Sequence, residues 1–197
     1  VATLEPGASA ASAKADEQAT QQTQPAQPTA QREPTPWWLY ILGGFSLLLG
    51  IVTAIPQFYY VIFAINPHLF PIGPNTNPLG DVWYSYILVG DNSYQKVDPG
   101  ILAGAVEDAF LLGPLYFITG VGLLRRSPWV VYVGLATAAM IFYAIVGFFL
   151  GDIFAGLNTV TNQVSYWASN LPYLLYPIAV IATLFIRRSL FTRPKQG

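Results

Sequence analysis

Two carboxylates stand side by side in an apolar run: Glu107 and Asp108 fall within Gly100 to Leu124. If that run is a helix, they lie about 10 Å below its start at 1.5 Å per residue. An ionised carboxylate at that depth in hydrocarbon costs several kcal/mol unless it is paired or neutralised, so the pair is a candidate ligand, proton or metal site. Neighbouring residues point about 100° apart on a helix, so the two cannot face one small pocket equally. The plainer alternative is a protonated acid that bonds an adjacent helix. A second constellation is Asn170, Tyr173 and Pro177, at i, i+3 and i+7, which is one helix face. Pro177 removes the backbone bond to the Tyr173 carbonyl, and Pro172 frees that of Ala168. An amide and a phenol beside freed carbonyls read as the wall of a polar cavity, or as the interhelical hydrogen bonding that small polar groups provide in bundles. Pro56 and Pro114 give similar openings in two further runs, which predicts a bundle splayed around a space.

Other chemistry is excluded by composition. Cys is absent and His68 is the single His, so disulfides, thiolate metal sites, Cys nucleophiles and His clusters cannot be built within this chain. His68 reads as a surface residue of a loop. Gly104, Gly113, Gly120 and Gly122 read as close-packing positions, because no phosphate loop, dinucleotide fingerprint, metalloprotease motif or nucleophile elbow is present. A net charge of −1 gives no reason to expect nucleic acid.

The elements that must position these groups are membrane spans. The chain is 53% hydrophobic and only 10% charged, where soluble domains carry about 25% charged residues. Four apolar runs, about 37–65, 100–124, 129–150 and 166–186, are long enough to cross a core that needs about 20 residues. The fold class expected is all-α, an integral membrane four-helix bundle over 37–191, with a polar N-terminal tail at 1–36 and a short C-terminal tail at 192–197. Trp37, Trp38 and Tyr40 form an aromatic belt. Residues 66–99, rich in Pro, Gly, Asn and Asp, form an extramembrane loop whose apolar middle, Val82 to Val89, is too short to span and is expected to lie on the surface. Four crossings put both termini and the Arg125-Arg126-Ser127-Pro128 turn on one side. That side holds eight of the nine basic residues, and the other only Lys96 with Asp81, Asp91, Asp98 and Asp152. This is the positive-inside pattern, which turns the termini toward cytosol, matrix or stroma.

The tail is Ala, Gln, Thr, Ser and Pro without an aromatic residue, so it has no core to bury and does not fold alone. It is either disordered or held against the face of a partner subunit. A start at Val1 instead of Met fits a removed organellar transit peptide, and it fits other histories equally.

Taken in order, several segments resemble the EXPERA family, whose members include the emopamil-binding sterol isomerase and the sigma-2 receptor. They are Ala54-Ile55-Pro56 with Pro67 and Pro71, Trp83-Tyr84, Gly90-Asp91-Asn92-Ser93-Tyr94, Asp98 before Gly113-Pro114-Leu115, Phe148-Phe149-Leu150-Gly151-Asp152, and Leu171-Pro172-Tyr173-Leu174-Leu175-Tyr176-Pro177. The resemblance covers about 45–190. It implies a four-helix membrane fold around a sterol- or lipid-sized pocket. Family isomerases protonate a sterol double bond and remove a proton elsewhere, which needs a buried acid–base set. Asn170 matches the isomerase's helix-4 Asn, Tyr173 falls on its Trp, and Asp108 on the receptor's helix-2 Glu. Asp98, preceding Pro99, corresponds to the receptor's loop Asp. The isomerase's helix-2 Glu falls on Ala105, and its helix-1 His and Glu fall on Pro56 and Tyr60, which cannot replace them. The resemblance therefore implies a kept scaffold and a largely missing proton-transfer set, hence a non-catalytic protein. One setting is an accessory subunit of a photosynthetic or respiratory complex in a thylakoid or inner mitochondrial membrane, where Glu107, Asp108 or Asn170 would meet lipid, quinone or pigment. The other is a free-standing sterol- or lipid-binding protein, for example in the endoplasmic reticulum, with Asp108 pairing a cationic amine.

Overall fold

The computed structural model describes residues 34–95, 97–154 and 162–192. The tail to residue 33, Lys96, the linker residues Asn158, Thr159 and Thr161, and the terminal Arg193 and Lys195 lie outside the described residues. Among the described residues the regular elements are helical, and four helices are long and apolar enough to cross a membrane.

The first span is α1, Trp37–Ile65. After it, α2 covers Pro78–Val89 and a short 3-10 turn Asn92–Gln95. The second span is broken into α3, Pro99–Glu107, a π turn at Asp108–Leu112, and α4, Gly113–Leu124. The third span is α5, Val130–Phe154, and the fourth is α6, Gln163–Ile186. A 3-10 turn, Arg188–Leu190, follows α6. Gly151 and Asp152 do not close α5, which runs on to Phe154. The Asp152 carboxylate accepts a hydrogen bond from the Tyr166 hydroxyl of α6, so the acid is partnered inside the bundle.

The π turn has a local cause. Pro114 has no amide hydrogen, and its ring would clash with the Phe110 carbonyl in a regular helix. The turn widens instead, and the Gly113 N–H reaches back five residues to the Asp108 carbonyl. Asp108 thus sits at the joint between the two halves of the second span.

The spans close tightly at one end. Gly50 and Gly113 let α1 and α4 cross at backbone distance: a Cβ at Gly50 would lie 3.0 Å from the Gly113 carbonyl oxygen and the Phe117 nitrogen. In the same half the Ser46 hydroxyl bonds the Tyr116 carbonyl at 2.7 Å and pairs with the Tyr176 hydroxyl, tying three spans together. The turn after α4 puts Arg126 in the left-handed region, φ 51°. Its guanidinium Nε donates to the Leu190 carbonyl at 3.2 Å, which anchors the chain beyond α6.

Toward the other end the spans part. There α3 packs on α1, while α5 and α6 pack on each other. The gap is roofed by α2 rather than left to solvent. Asn77 caps α2 by accepting from Gly80 N at 3.0 Å, and its amide donates to the Tyr59 hydroxyl of α1 at 2.6 Å. Trp83 Nε1 donates to the Pro56 carbonyl at 2.7 Å, and Trp83 is only 5% exposed. The segment expected to lie on the surface is therefore half-inserted. Its Trp83 and Tyr86 pack with Tyr60 and Tyr94 in one aromatic cluster.

Candidate functional site

Between the parted spans and this roof lies a cavity of about 530 Å³. All four spans and α2 contribute to its wall. Leu112, Ile141, Ile145 and Phe148 give the wall apolar surface. Gln57, Tyr86, Tyr94, Asn170 and Tyr173 bring polar groups to the same wall.

Of the residues singled out in the sequence, Glu107, Asp108, Asn170 and Tyr173 all line this one cavity. Asp108 is partly buried and Glu107 exposed, as their divergent directions on a helix require. Glu107 thus stands at the mouth and Asp108 in the wall. Asp98 is elsewhere. It is exposed and caps α3, its Oδ1 accepting from the Gly100 N–H at 2.7 Å, while Pro99 fills the first helical turn. His68 is exposed in the loop, its N–H bonded to the Asn66 side chain.

Asn170 is fixed from two directions. Its Nδ2 donates to the Tyr166 carbonyl at 2.9 Å and to the Tyr86 hydroxyl at 3.5 Å. Tyr173 reaches across to α1, where the Thr53 hydroxyl bonds it at 3.4 Å. Burial pushes the Tyr86 phenol up to about 12, with its Asn170 hydrogen bond pulling the other way and Asp91 and Asp152 adding to the rise. Tyr94 is raised well above its ordinary value, again chiefly by burial. Both hydroxyls are therefore neutral near pH 7.

Gln57, Tyr86 and Tyr94 belong to this site and were not singled out in the sequence. The Gln57 side chain bonds Tyr94, yet its Oε1 is buried with no partner among the described residues. A buried acceptor of that kind calls for a donor from a ligand or water. The helical spacing Trp83 to Tyr86, i to i+3, was the available signal for the roof's inner face. Gly104, read as a packing position, instead lines the cavity, and a Cβ there would meet nothing within 4 Å. Among the described residues no group of three His, Cys, Asp or Glu side chains is placed to hold a metal ion.

The chemistry on offer is thus recognition of a largely apolar body that carries a hydrogen-bond donor or cation. The carboxylates of Glu107 and Asp108 and the Gln57 oxygen supply acceptors, and the aromatic rings give faces on which a cation is attracted.

A family model described as EXPERA (EXPanded EBP superfamily) matches residues 78–184, more than half of the chain. The match takes in the roof, the acidic pair, Asn170 and Tyr173, and begins after α1. No curated protein matches.

Proposed function

The chain belongs to the EXPERA family, and from that premise we propose that this integral membrane protein binds one amphiphile of sterol or single-chain lipid size, without turning it over. The observation that carries the reading is the gathering of Glu107, Asp108, Asn170 and Tyr173 on one cavity of about 530 Å³. That volume is within the roughly 300–1,000 Å³ of small-molecule sites. The carboxylates of Glu107 and Asp108 and the unpartnered Gln57 oxygen favour a ligand with an amine or hydroxyl, to which the neutral Tyr86 and Tyr94 hydroxyls can also donate. The isomerase positions carry no proton-transfer groups: Pro56 lines the cavity, Tyr60 is fully buried against Trp83, and Ala105 is buried.

Two variants test this with a fluorescent amine-bearing sterol and purified protein. Asp108→Asn removes the acid at nearly constant volume and should weaken binding at least tenfold. Gly104→Trp fills open space and should abolish binding of amine and neutral sterol alike, with the melting temperature kept. Wild-type affinity in both variants would reject the site.

A second reading, that the protein sits in a larger membrane assembly, has its own support on the outer face of α5. Tyr143, near the middle of the third span, is 82% exposed, and a phenol there has no water to bond. Gly147 and Gly151 follow it at i+4 and i+8, and a Cβ at either would meet nothing within 4 Å. Small residues four apart let a neighbouring helix approach closely. The basic residues at the bundle's closed end support termini on the cytosolic, matrix or stromal side. A thylakoid or inner mitochondrial membrane suits the assembly reading, and an endoplasmic reticulum the free-standing one. The contacts expected of the tail fall on residues outside the described ones.

A further inference from the structure

A second concavity lies at the closed end of the bundle, away from the cavity. It is an open groove of about 510 Å³. Trp129, Val131 and Tyr132 at the start of α5 form one wall, and Arg188, Phe191 and Thr192 beyond α6 form the other. The second wall is held in place. Arg126 bonds the Leu190 carbonyl at 3.2 Å, and Leu190 and Phe191 are 7% and 1% exposed. Arg188, in the turn between α6 and these anchors, is thus displayed from a fixed backbone.

The groove sits at headgroup level. Trp129 and Tyr132 are 41% and 72% exposed at the end of a span, where aromatic rings mark the membrane–water boundary. The charge at this end has one sign. Arg125, Arg187 and Arg188 are exposed, and the carboxylates of the described residues (Asp81, Asp91, Asp98, Glu107, Asp108, Asp152) belong to the other half of the molecule. An aromatic, apolar floor under an unopposed guanidinium matches a molecule with a phosphate at one end and acyl carbons below it. Guanidinium binds phosphate through paired N–H donors. Residues 188–192 lie beyond the part of the chain shared with the family.

We infer that this groove holds an anionic phospholipid, its phosphate on Arg188 and its first acyl carbons along Trp129 and Tyr132. The lipid would fasten the start of the third span to the chain beyond the fourth, independently of the ligand in the cavity.

Full-length protein in lipid–detergent micelles is labelled with a phosphatidylglycerol carrying a photoreactive group near its glycerol, and the adducts are mapped by mass spectrometry. Adducts should appear on peptides containing Trp129 and Tyr132 and on those containing Phe191. Unlabelled phosphatidylglycerol should compete, while phosphatidylcholine and inorganic phosphate should not. Arg188→Gln should lower those adducts about fivefold, the weight of one basic residue near an anionic headgroup. Arg188→Lys should restore part of the yield, and labelling elsewhere on the spans should hold steady. Equal labelling by a phosphatidylcholine probe, competition by inorganic phosphate, or an unchanged yield in Arg188→Gln would overturn the inference. So would a protein cross-link from the groove to residues 1–33 in place of lipid.

Discussion

Tyr86 connects the roof to the fourth span through a single hydrogen bond from Asn170. Its phenol is raised from 10.0 to about 12, first by burial and then by the nearby carboxylates. A folded-state value above the unfolded one means that the folded chain holds the proton more tightly. The stability this contributes is complete below pH 10 and is lost as pH climbs from 10 toward 12. A ligand at neutral pH accordingly meets a hydroxyl that can donate, not a phenolate. Subtracting the tyrosinate absorbance of Tyr86→Phe from that of the wild type should leave one titration step centred near pH 12. A step near pH 10 would mean that water reaches the ring and that α2 does not seal the cavity.

The crossing of α1 with α4 decides where the cavity ends. Its closeness depends on Gly50, whose Cβ would press on the backbone of Gly113 and Phe117 at 3.0 Å, with no flexible side chain to give way. Gly50→Leu should therefore destabilise the protein by about 1–3 kcal/mol, as overpacking of a tight contact does. The measurement is the loss of helical signal on heating in detergent, and an unshifted melt would mean that the helices separate freely. The four spans were legible because a run of about 20 apolar residues has few other fates. The weak point of the second span was legible too, from Pro114. Its form was not, because a proline clash can be relieved by a kink or by a widened turn, and the surrounding helices choose between them. The fate of α2 was hidden for a related reason. Twelve residues, Pro78 to Val89, are too few to span, and nothing local reveals that Trp83 will find the Pro56 carbonyl. Four of the five candidate site residues share the cavity because apolar surroundings make any polar group conspicuous. Asp98 lacks that contrast, and its position before Pro99 and Gly100 is that of a helix cap. Tyr86 and Tyr94 escaped notice because they lie outside the spans, where phenols are common, and Gln57 because nothing local to α1 shows which face of that span turns toward the cavity.

At the scale of the described residues, the bundle is closed where the arginines lie and parts beneath the α2 roof toward the acidic end, and its third span presents an outer face that none of the described residues covers. Tyr132, Ala136, Tyr143, Gly147 and Gly151 follow one another along that face, all exposed. Lipid tails satisfy a glycine stripe poorly, since they gain little contact there, and they cannot bond the Tyr143 hydroxyl at all. A neighbouring helix can do both, with a polar group opposite Tyr143 and its backbone against the glycines. If the protein works inside a larger assembly, this is the face by which it docks, and the contact is separable from the fold. Gly147→Leu places its side chain in open space on the protein's own bundle, so the isolated chain should melt as the wild type does and still bind its ligand. In native membranes solubilised with a mild detergent, the wild type should migrate in a large complex on native gels. Gly147→Leu should migrate as the free protein, and Tyr143→Phe should weaken the complex less. A wild type that runs alone, or a Gly147→Leu variant that stays in the complex, would leave this face to the lipid and favour a free-standing binding protein.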